Sequence, residues 1–208
     1  MQGEGVTPKR AVCARCLRAQ AACICQWITP LVSCVELLVL QHPLEVGNAK
    51  NSARLLHLSV APSVLEVGET FDAPALRHRL EEGGRTPVLL YPDTPGDQSL
   101  GIAPPPPFDP ALLVQPGKLR LVIVDATWRK SRKMLYMNPL LQRLPRFTLR
   151  AMPPSHYRIR KAHAPDQLST LEAAAYALMQ LESEPARWQR LIEAFDGFVG
   201  QQRSFIPP

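Results

Sequence analysis

The run KLRLVIVD, residues 118–125, constrains the fold more than any other stretch of this chain. Its apolar residues follow one another without the apolar–polar alternation of a strand that has one face exposed to solvent. This pattern is typical of a strand buried on both faces of a parallel sheet. CVELLVL (34–40), SVLEV (63–67) and PVLLY (87–91) are further strand-like runs. The sequence therefore favours a parallel sheet.

Helical patterns separate these strands. VGNAKNSARLLHLSV (46–60) is predicted to form one short helix, and PALRHRLEEGG (74–84) another that ends at its glycines. TWRKSRKMLYMNPLLQRL (127–144) is helical, with Pro139 dividing it. Residues 92–116 contain so much proline that we expect a long loop there. Strands that alternate with helices indicate the α/β class, with helices covering both faces of the sheet.

The C-terminal part of the chain is predicted to contain one more strand, RFTLR (146–150), a long basic loop (153–168) and two helices. Ser169 and Glu172 have the spacing of a capping box, so the first helix begins there. The second helix follows Pro185. Its apolar stripe consists of Trp188, Leu191, Ile192, Phe195, Phe198 and Val199.

Four of the five cysteines lie close together, at Cys13, Cys16, Cys23 and Cys25. Disulfides are rare in the cytosol, so we expect a tetrahedral, all-thiolate zinc site, which is structural because protein ligands fill all four positions. A redox-active C-x2-C pair is the alternative, and the second pair of cysteines weakens it. Cys34 is expected to be a small buried thiol in its strand. We predict two units: a tail and zinc-binding element over residues 1–30, and a main catalytic domain over 31–208.

No part of the sequence reaches the ~18 to 20 apolar residues of a membrane span. The N-terminus, MQGEGVTPKR, lacks the apolar core of a signal peptide. We therefore expect a cytoplasmic protein with no membrane partner, and we predict no obligate protein partner.

The positive charge is concentrated between Lys118 and His163, where twelve Lys or Arg accompany one acidic residue, Asp125. A segment in which nearly all charges are positive is expected to bind a polyanion such as RNA. Binding is favoured because each neutralised phosphate releases counterions. Aromatic residues interleaved with the charges provide surfaces for base stacking. A solvated basic face is the alternative explanation.

Asp125 stands directly behind the strand 118–125. In open parallel sheets, ligands bind beyond the carboxyl ends of the strands, and three predicted loops lie there: 91–101, 125–129 and 158–169. Taken alone, however, Asp125 is better explained as the N-cap of the following helix.

Five motifs in order change that interpretation. They are the four-cysteine start, QHPLEVGNAKNSARL (41–55), LYP (90–92), VDATW (124–128) and LSTLEA (168–173). Together they resemble the DTW-domain family of tRNA-uridine aminocarboxypropyltransferases, and the resemblance extends from Cys13 to about Leu178. It implies a SPOUT-like fold with a C-terminal trefoil knot that holds S-adenosylmethionine.

The activity that the resemblance implies is transfer of the 3-amino-3-carboxypropyl group from S-adenosylmethionine to N3 of a uridine in tRNA, with release of 5'-methylthioadenosine. Asp125 is the candidate general base. The residues that the resemblance places at the cofactor are Leu90, Tyr91, Pro92, Asp125, Thr127, Trp128, Leu168, Ser169 and Thr170. Trp128 has two further interpretations, a core anchor for its helix or a surface that stacks on the target base.

Substrate binding is assigned to basic residues and one histidine: His42, Arg54, Arg129, Arg158, Arg160 and Lys161. Lys50 and Arg54 are predicted to share one face of a helix, because they are four residues apart. Two other functions remain open at this stage: an RNA methyltransferase of similar fold, and a non-catalytic RNA-binding module that contains zinc.

Overall fold

A computed structural model describes residues 11–92, 104–155 and 168–205 of the chain. Over these residues the strands are β1 Leu31–Gln41, β2 Val60–Val67, β3 Thr86–Leu90, β4 Leu119–Asp125 and β5 Arg146–Phe147. The α-helices are α1 Pro43–Val46, α2 Ala53–Ser59, α3 Ala73–Glu81, α4 Trp128–Met137, α5 Pro139–Gln142, α6 Thr170–Glu182 and α7 Pro185–Ser204.

The strands form one sheet in the order β2-β1-β4-β3-β5, and every neighbouring pair is parallel. β4 lies between β1 and β3, with Gln41 of β1 directly beside Asp125. On the other side of β4, Leu90 of β3 pairs with Ile123. The carboxyl ends of the three central strands therefore meet at one edge, which is where ligands bind in sheets of this kind.

Helices cover both faces of the sheet, as predicted. Successive side chains of β1 point to opposite faces. Leu37 and Val39 pack in the same cluster as residues of α2, α6 and α7. Leu38 and Leu40 pack with residues of α3, α4 and α5. The two buried clusters explain why β1 and β4 have no polar face in the sequence, and they confirm the α/β class.

Three features predicted for the helices α4 to α7 are also confirmed. The Ser169 hydroxyl accepts a hydrogen bond from the Glu172 N–H at 3.2 Å, and the Glu172 carboxylate accepts from the Ser169 N–H at 2.7 Å. Pro139 separates α4 from α5 and stands in the first turn of α5, where its missing N–H costs nothing. The apolar stripe predicted for α7 is buried along its whole length.

The helix predicted over residues 46–60 is confirmed only for Ala53–Ser59, and its first half is wrong. The helix α1 ends at Val46, and residues 47–52 are not helical. Two asparagines hold this connection in turns: the side-chain oxygen of Asn48 accepts from the Lys50 N–H, and that of Asn51 accepts from the Ala53 N–H. Asn side chains compete with the helix in this way. Because Lys50 precedes α2, it does not share a helix face with Arg54.

Two smaller expectations also fail. The strand predicted over 146–150 ends at Phe147, after which the Arg150 N–H donates to the side chain of Gln180 rather than to a neighbouring strand. Cys34 is exposed, not buried, and its thiol donates to the Glu182 carboxylate at 3.3 Å. Within the described ranges, none of the helices is long and apolar enough to cross a membrane.

Candidate active site and metal centre

Asp125 is the last residue of β4, and its carboxylate is buried at the edge where the central strands end. One oxygen, Oδ2, accepts hydrogen bonds from Gln41 Nε2 at 2.8 Å and Asn51 Nδ2 at 2.6 Å. The other, Oδ1, accepts from the hydroxyl of Thr170 at 2.6 Å. Three elements thus converge on one carboxylate: β1, the connection before α2, and the first turn of α6.

The environment of Asp125 raises its pKa above the ordinary value of an aspartate. Burial is the main cause, and the negative charge of Glu45 adds to it. The hydrogen bonds from Thr170, Gln41 and Asn51 oppose the shift, because they stabilise the ionised form. These three donors are all uncharged.

Asp125 is not the N-cap of α4. The N-cap is Thr127, which makes no side-chain capping bond. The carboxylate of Asp125 instead accepts hydrogen bonds from Thr170 of α6 and from Asn51 of the 47–52 connection. Its position after a buried strand therefore has no explanation in helix capping, and the alternative that sequence alone favoured is excluded.

Sequence reasoning missed the two amides that hold Asp125. The strand predicted over 34–40 stops one residue before Gln41, and Asn51 falls within the helix predicted over 46–60. Both are buried, and their side chains also bond to each other at 3.2 Å. For Gln41, a signal was present in the sequence: it is an amide at the carboxyl end of a buried strand. A side chain at that position lies at the ligand-binding edge of a parallel sheet, whatever the order of the strands.

A narrow cleft opens beside the carboxylate, lined by Glu45, Asn48, Lys50, Asn51, Ser52, Asp125 and Ser169. Its volume of about 10 Å³ is enough for about one water molecule. Glu45 in its wall is buried and forms an ion pair of 3.0 Å with Lys130, which ties α1 to α4. The cleft therefore has room for one small polar group beside Asp125.

Aromatic residues form a second feature of the same edge. The rings of Tyr91 and Trp128 are stacked, with centroids 5.3 Å apart and planes 16° apart. The guanidinium of Arg146 lies 5.1 Å from the Tyr91 ring centroid, on which it makes a cation–π contact. Tyr91 is buried, and its hydroxyl lies 3.2 Å from that of Ser131. Trp128 is 46% exposed, so its interpretation as a core anchor is wrong.

The other residues assigned to the cofactor lie around these two features. Leu90 ends β3 and is half-buried, and Pro92 is exposed and accepts a hydrogen bond from Arg146 through its carbonyl. Leu168 is half-buried against the main core, next to the buried Ser169. The structure therefore brings the assigned cofactor residues to one edge, with Thr170 bonded directly to Asp125.

The residues assigned to the substrate are more scattered. His42 is buried: its ring caps α1 through Nδ1 and lies 3.0 Å from the Glu69 carboxylate through Nε2. Arg54 donates to the Arg15 carbonyl, in the four-cysteine element. Arg129 is exposed at the start of α4. The remaining three, Arg158, Arg160 and Lys161, lie outside the described residues.

Over its described residues, the basic block does not form one continuous surface. Arg120 is buried and bonded to Glu36, and Arg146 is buried against Tyr91. Lys130 and Lys133 are paired with carboxylates on α1 and before α3. Several of these basic side chains therefore make ion pairs or cation–π contacts within the protein and are not available only for an anionic ligand.

The four cysteines form the metal-site candidate that the sequence predicted. Their sulfur atoms all lie within 4.8 Å of one another. Cys13 and Cys25 are 3.7 Å apart and Cys16 and Cys23 are 3.8 Å apart, close to the ~3.8 Å between two ligands of a tetrahedral Zn–S₄ centre. Backbone N–H groups of Cys16 and Arg15 lower the pKa of Cys13 to about 6, whereas burial raises the pKa of Cys25 to about 12, so Cys13 is the thiol that ionises more readily. The residues therefore fit zinc.

The four-cysteine element packs on the main domain. Cys16 and Ile24 belong to the same buried cluster as α6 and α7. The indole N–H of Trp27 donates to Gln201 Oε1 at 2.6 Å, and Gln201 Nε2 donates to the Cys23 carbonyl at 3.0 Å. The element is thus fixed to α7 by both apolar and polar contacts.

Fold and site together define a class of protein. It is a three-layer α/β protein, with a parallel sheet between two layers of helices, a buried carboxylate at the ligand edge of the sheet and an attached four-cysteine metal-site candidate. Comparison with known families identifies that class more closely. The model of the DTW domain matches residues 10–203. The chain belongs to the DTW domain family.

Curated relatives carry names that describe an activity. The chain is 30% identical to tRNA-uridine aminocarboxypropyltransferase 2 of Drosophila melanogaster over 88% of its length and 72% of that protein's. It is 27% identical to the Mus musculus protein of that name, over 93% of its own length and 64% of the other's. With tRNA-uridine aminocarboxypropyltransferase A of Arabidopsis thaliana the identity is 26%, over 65% and 54%. No solved structure matches the chain.

Proposed function

We propose that this chain transfers the 3-amino-3-carboxypropyl group of S-adenosylmethionine to N3 of a uridine in tRNA, and that 5'-methylthioadenosine is released. The names of the relatives support the activity, the substrate and the family. The observation that carries the mechanism is the buried Asp125 carboxylate, held by three uncharged donors at the edge where the central strands end.

Asp125 is the general base of the proposed reaction. The N3–H of uracil is a weak acid, so a base must take its proton as the nitrogen attacks. An aspartate of ordinary pKa is a poor acceptor near neutral pH, and burial of Asp125 raises its pKa towards the useful range. Oδ1 accepts one hydrogen bond, from Thr170, and retains a lone pair for the N3 proton, whereas the bonds from Gln41 and Asn51 occupy both lone pairs of Oδ2.

The bonds and charges balance without a further reactant. The N3–Cγ bond forms while the Cγ–S bond of the sulfonium breaks, and the electron pair of that bond stays on sulfur as a neutral thioether. The N3 proton passes to Asp125. Because the sulfonium is already a good leaving group, the chain has mainly to orient the two reactants.

The surrounding residues are proposed to bind the two substrates. The stacked pair of Tyr91 and Trp128 offers a half-exposed indole face for the planar adenine of S-adenosylmethionine. We assign its carboxylate to the N-terminal end of α6, because a helix N-terminus attracts anions; the attraction comes from the helix dipole rather than from the Leu171 and Glu172 N–H groups, which donate to the hydroxyls of Ser52 and Ser169. The exposed Arg129 is assigned to the RNA backbone.

At the level of the fold, we propose the SPOUT-like arrangement with a C-terminal trefoil knot. Support comes from the fully parallel sheet in which β4 is inserted between β1 and β3. An experimental structure that traces the chain from β5 to α6 tests this directly. A path around the preceding loop, without threading through it, contradicts the knot.

The activity is tested with unmodified tRNA transcripts and two samples of S-adenosylmethionine, one labelled on the carboxyl carbon and one on the methyl. We expect the carboxyl label in RNA and the methyl label in methylthioadenosine. Methyl label in RNA would instead make the protein a methyltransferase. Binding of tRNA without transfer of either label would make it a binding module.

The base assignment is tested with Asp125→Asn, which has nearly the same shape but cannot accept the N3 proton. We expect kcat to fall by at least about 10²-fold, the range of a lost general base, with tRNA binding unchanged. Asp72→Asn is the matched control: Asp72 is an exposed N-cap of α3, a position where Asn serves equally well. Turnover of Asp125→Asn at the rate of this control contradicts the role of Asp125.

A further inference from the structure

We propose that Arg18, a residue of the four-cysteine element, positions Asn51 and through it the Asp125 carboxylate. The four-cysteine element then positions active-site residues in addition to stabilising the N-terminal part of the chain. This inference rests on the proposed function only for its effect on turnover. The contacts themselves can be tested without any activity.

The backbone of Arg18 is set by the first cysteine turn. The carbonyl of Arg18 accepts from the Cys13 N–H at 2.8 Å, and the Cys13 carbonyl accepts from the Leu17 N–H at 2.8 Å. Leu17 has a φ of 59°, a left-handed conformation that closes the turn. Since Cys13 and Cys16 belong to the metal-site candidate, the geometry of that site determines where the Arg18 side chain begins.

The Arg18 side chain reaches from this turn to the connection 47–52. Its Nη2 donates to the Asn51 carbonyl at 2.6 Å, and its Nη1 donates to the Ala49 carbonyl. The guanidinium also lies 5.2 Å from the ring centroid of Phe198 on α7. A rigid fork of donors is well suited to holding two carbonyls at once, which a lysine cannot do in the same way.

Asn51 links this contact to the carboxylate. Its side-chain Nδ2 donates to Asp125 at 2.6 Å, while its Oδ1 accepts from Ala53 and Gln41. The residue lies in a connection that is neither helix nor strand, so no regular ladder of hydrogen bonds fixes its backbone. The bond from Arg18 to its carbonyl therefore contributes directly to the direction in which the amide points.

A second contact joins the same two parts of the chain. Arg54, in the first turn of α2, donates to the Arg15 carbonyl at 3.1 Å. The cysteine element thus contacts the chain on both sides of Asn51, through Arg18 before α2 and through Arg54 within it. Displacement of the element would shift the amide that faces Asp125. A misplacement of about 1 Å in a catalytic site can cost about 10²-fold in rate.

The direct test observes the side-chain amide of Asn51 by NMR in ¹⁵N-labelled protein, with Asn51→Ala for assignment. In the unaltered chain we expect a slowly exchanging amide proton, shifted downfield by its bond to the Asp125 carboxylate. Arg18→Ala should speed its exchange at least tenfold, with Arg18→Lys between the two. Arg15→Ala is the matched control, because it removes an equal charge from an exposed side chain of the same element.

A double-mutant cycle then separates positioning from general loss of stability. If Arg18 acts through Asn51, the variant with Arg18→Ala and Asn51→Ala has the same kcat as Asn51→Ala alone, because neighbours on one path are not additive. Arg18→Ala alone should lower kcat tenfold or more and leave the KM for tRNA within about threefold.

The outcomes are distinguishable. An Asn51 amide with the same shift and exchange rate in Arg18→Ala as in Arg15→Ala overturns the positioning role, whatever the activity. Additive losses of kcat in the double variant overturn it as well. An amide that responds as expected, in a chain that transfers no label to RNA, leaves the positioning of Asn51 established and removes the proposed reaction instead.

Discussion

Replacement of Gly197 by alanine should separate the four-cysteine element from α7. A Cβ atom at this position would lie 2.1 Å from Cζ3 of Trp27, and 2.4 and 2.6 Å from two further ring carbons. Carbon atoms in contact are normally about 3.5 to 4.0 Å apart, so the indole would have to retreat by roughly 1.5 Å. A rigid ring cannot do so without weakening its hydrogen bond to Gln201.

The magnitude follows from three contributions. Overpacking costs about 1–3 kcal/mol. Loss of the Trp27 to Gln201 hydrogen bond costs about 0.5–1.5 kcal/mol. The better helix propensity of alanine returns about 0.5–1 kcal/mol. The free energy of unfolding should therefore fall by about 0.5–4 kcal/mol, which for a chain of this size corresponds to a Tm lowered by roughly 1–16 °C.

Thermal unfolding followed by circular dichroism measures this change, and Gly200→Ala in the same helix is the control. An added Cβ at Gly200 has nothing within 4 Å, so only the propensity gain remains, and the Tm should rise by roughly 1–4 °C. The two substitutions are chemically identical and three residues apart. Equal stability of the two variants would refute the docking of Trp27 on α7.

Three further predictions concern the metal, the pH dependence and the aromatic stack. Cys13→Ser should reduce zinc, measured by elemental analysis, well below one atom per chain and lower the Tm; unaltered protein with no zinc as isolated would remove the site. Lys133 and then His42 lower the pKa of Glu69, so Glu69 contributes stability above the ordinary glutamate pKa of 4.5 that is lost as pH falls through its folded pKa. The difference in urea midpoint between wild type and Glu69→Gln should therefore be present at neutral pH and vanish in acid, and a difference that persists in acid contradicts the pairing. Trp128→Ala should raise the KM for S-adenosylmethionine about tenfold, the equivalent of one aromatic stack of ~1.4 kcal/mol, with Trp128→Phe close to wild type.

Local sequence patterns predicted the parts of this protein that depend on local chemistry. The continuous apolar runs gave β1 and β4, and the capping box at Ser169 and Glu172 gave the start of α6. The cysteine spacing gave the metal-site candidate. Each of these depends on residues within about a dozen positions of one another, so the physical cause is present in the sequence itself.

The partners of Asp125 were beyond such patterns, because they depend on the order of strands in the sheet. Gln41 and Asn51 lie 84 and 74 residues from Asp125 in the chain. They become neighbours because β4 pairs with β1 in a register that aligns Gln41 with Asp125. The charge summed along residues 118–163 did not predict a continuous basic surface for a related reason. The sum counts Arg120 and Arg146 as surface charges, although both are buried.

The environment of Asp125 is costly for folding, and this cost argues for a chemical role. Because the folded-state pKa is raised, ionised Asp125 lowers the stability of the fold at pH values above that pKa, and the penalty disappears as pH falls to the ordinary aspartate value of 3.8. An asparagine would avoid the penalty and still accept from Gln41 or Asn51 through its oxygen, while its NH₂ group could donate to the Thr170 hydroxyl. A residue retained only for structure would therefore be better as Asn. The Asp125→Asn variant should be as stable as the unaltered chain or more so at pH 7 to 8, while its turnover is lost. Parallel loss of stability and turnover would instead mean that the carboxylate holds the strand ends together and that its chemistry lies elsewhere.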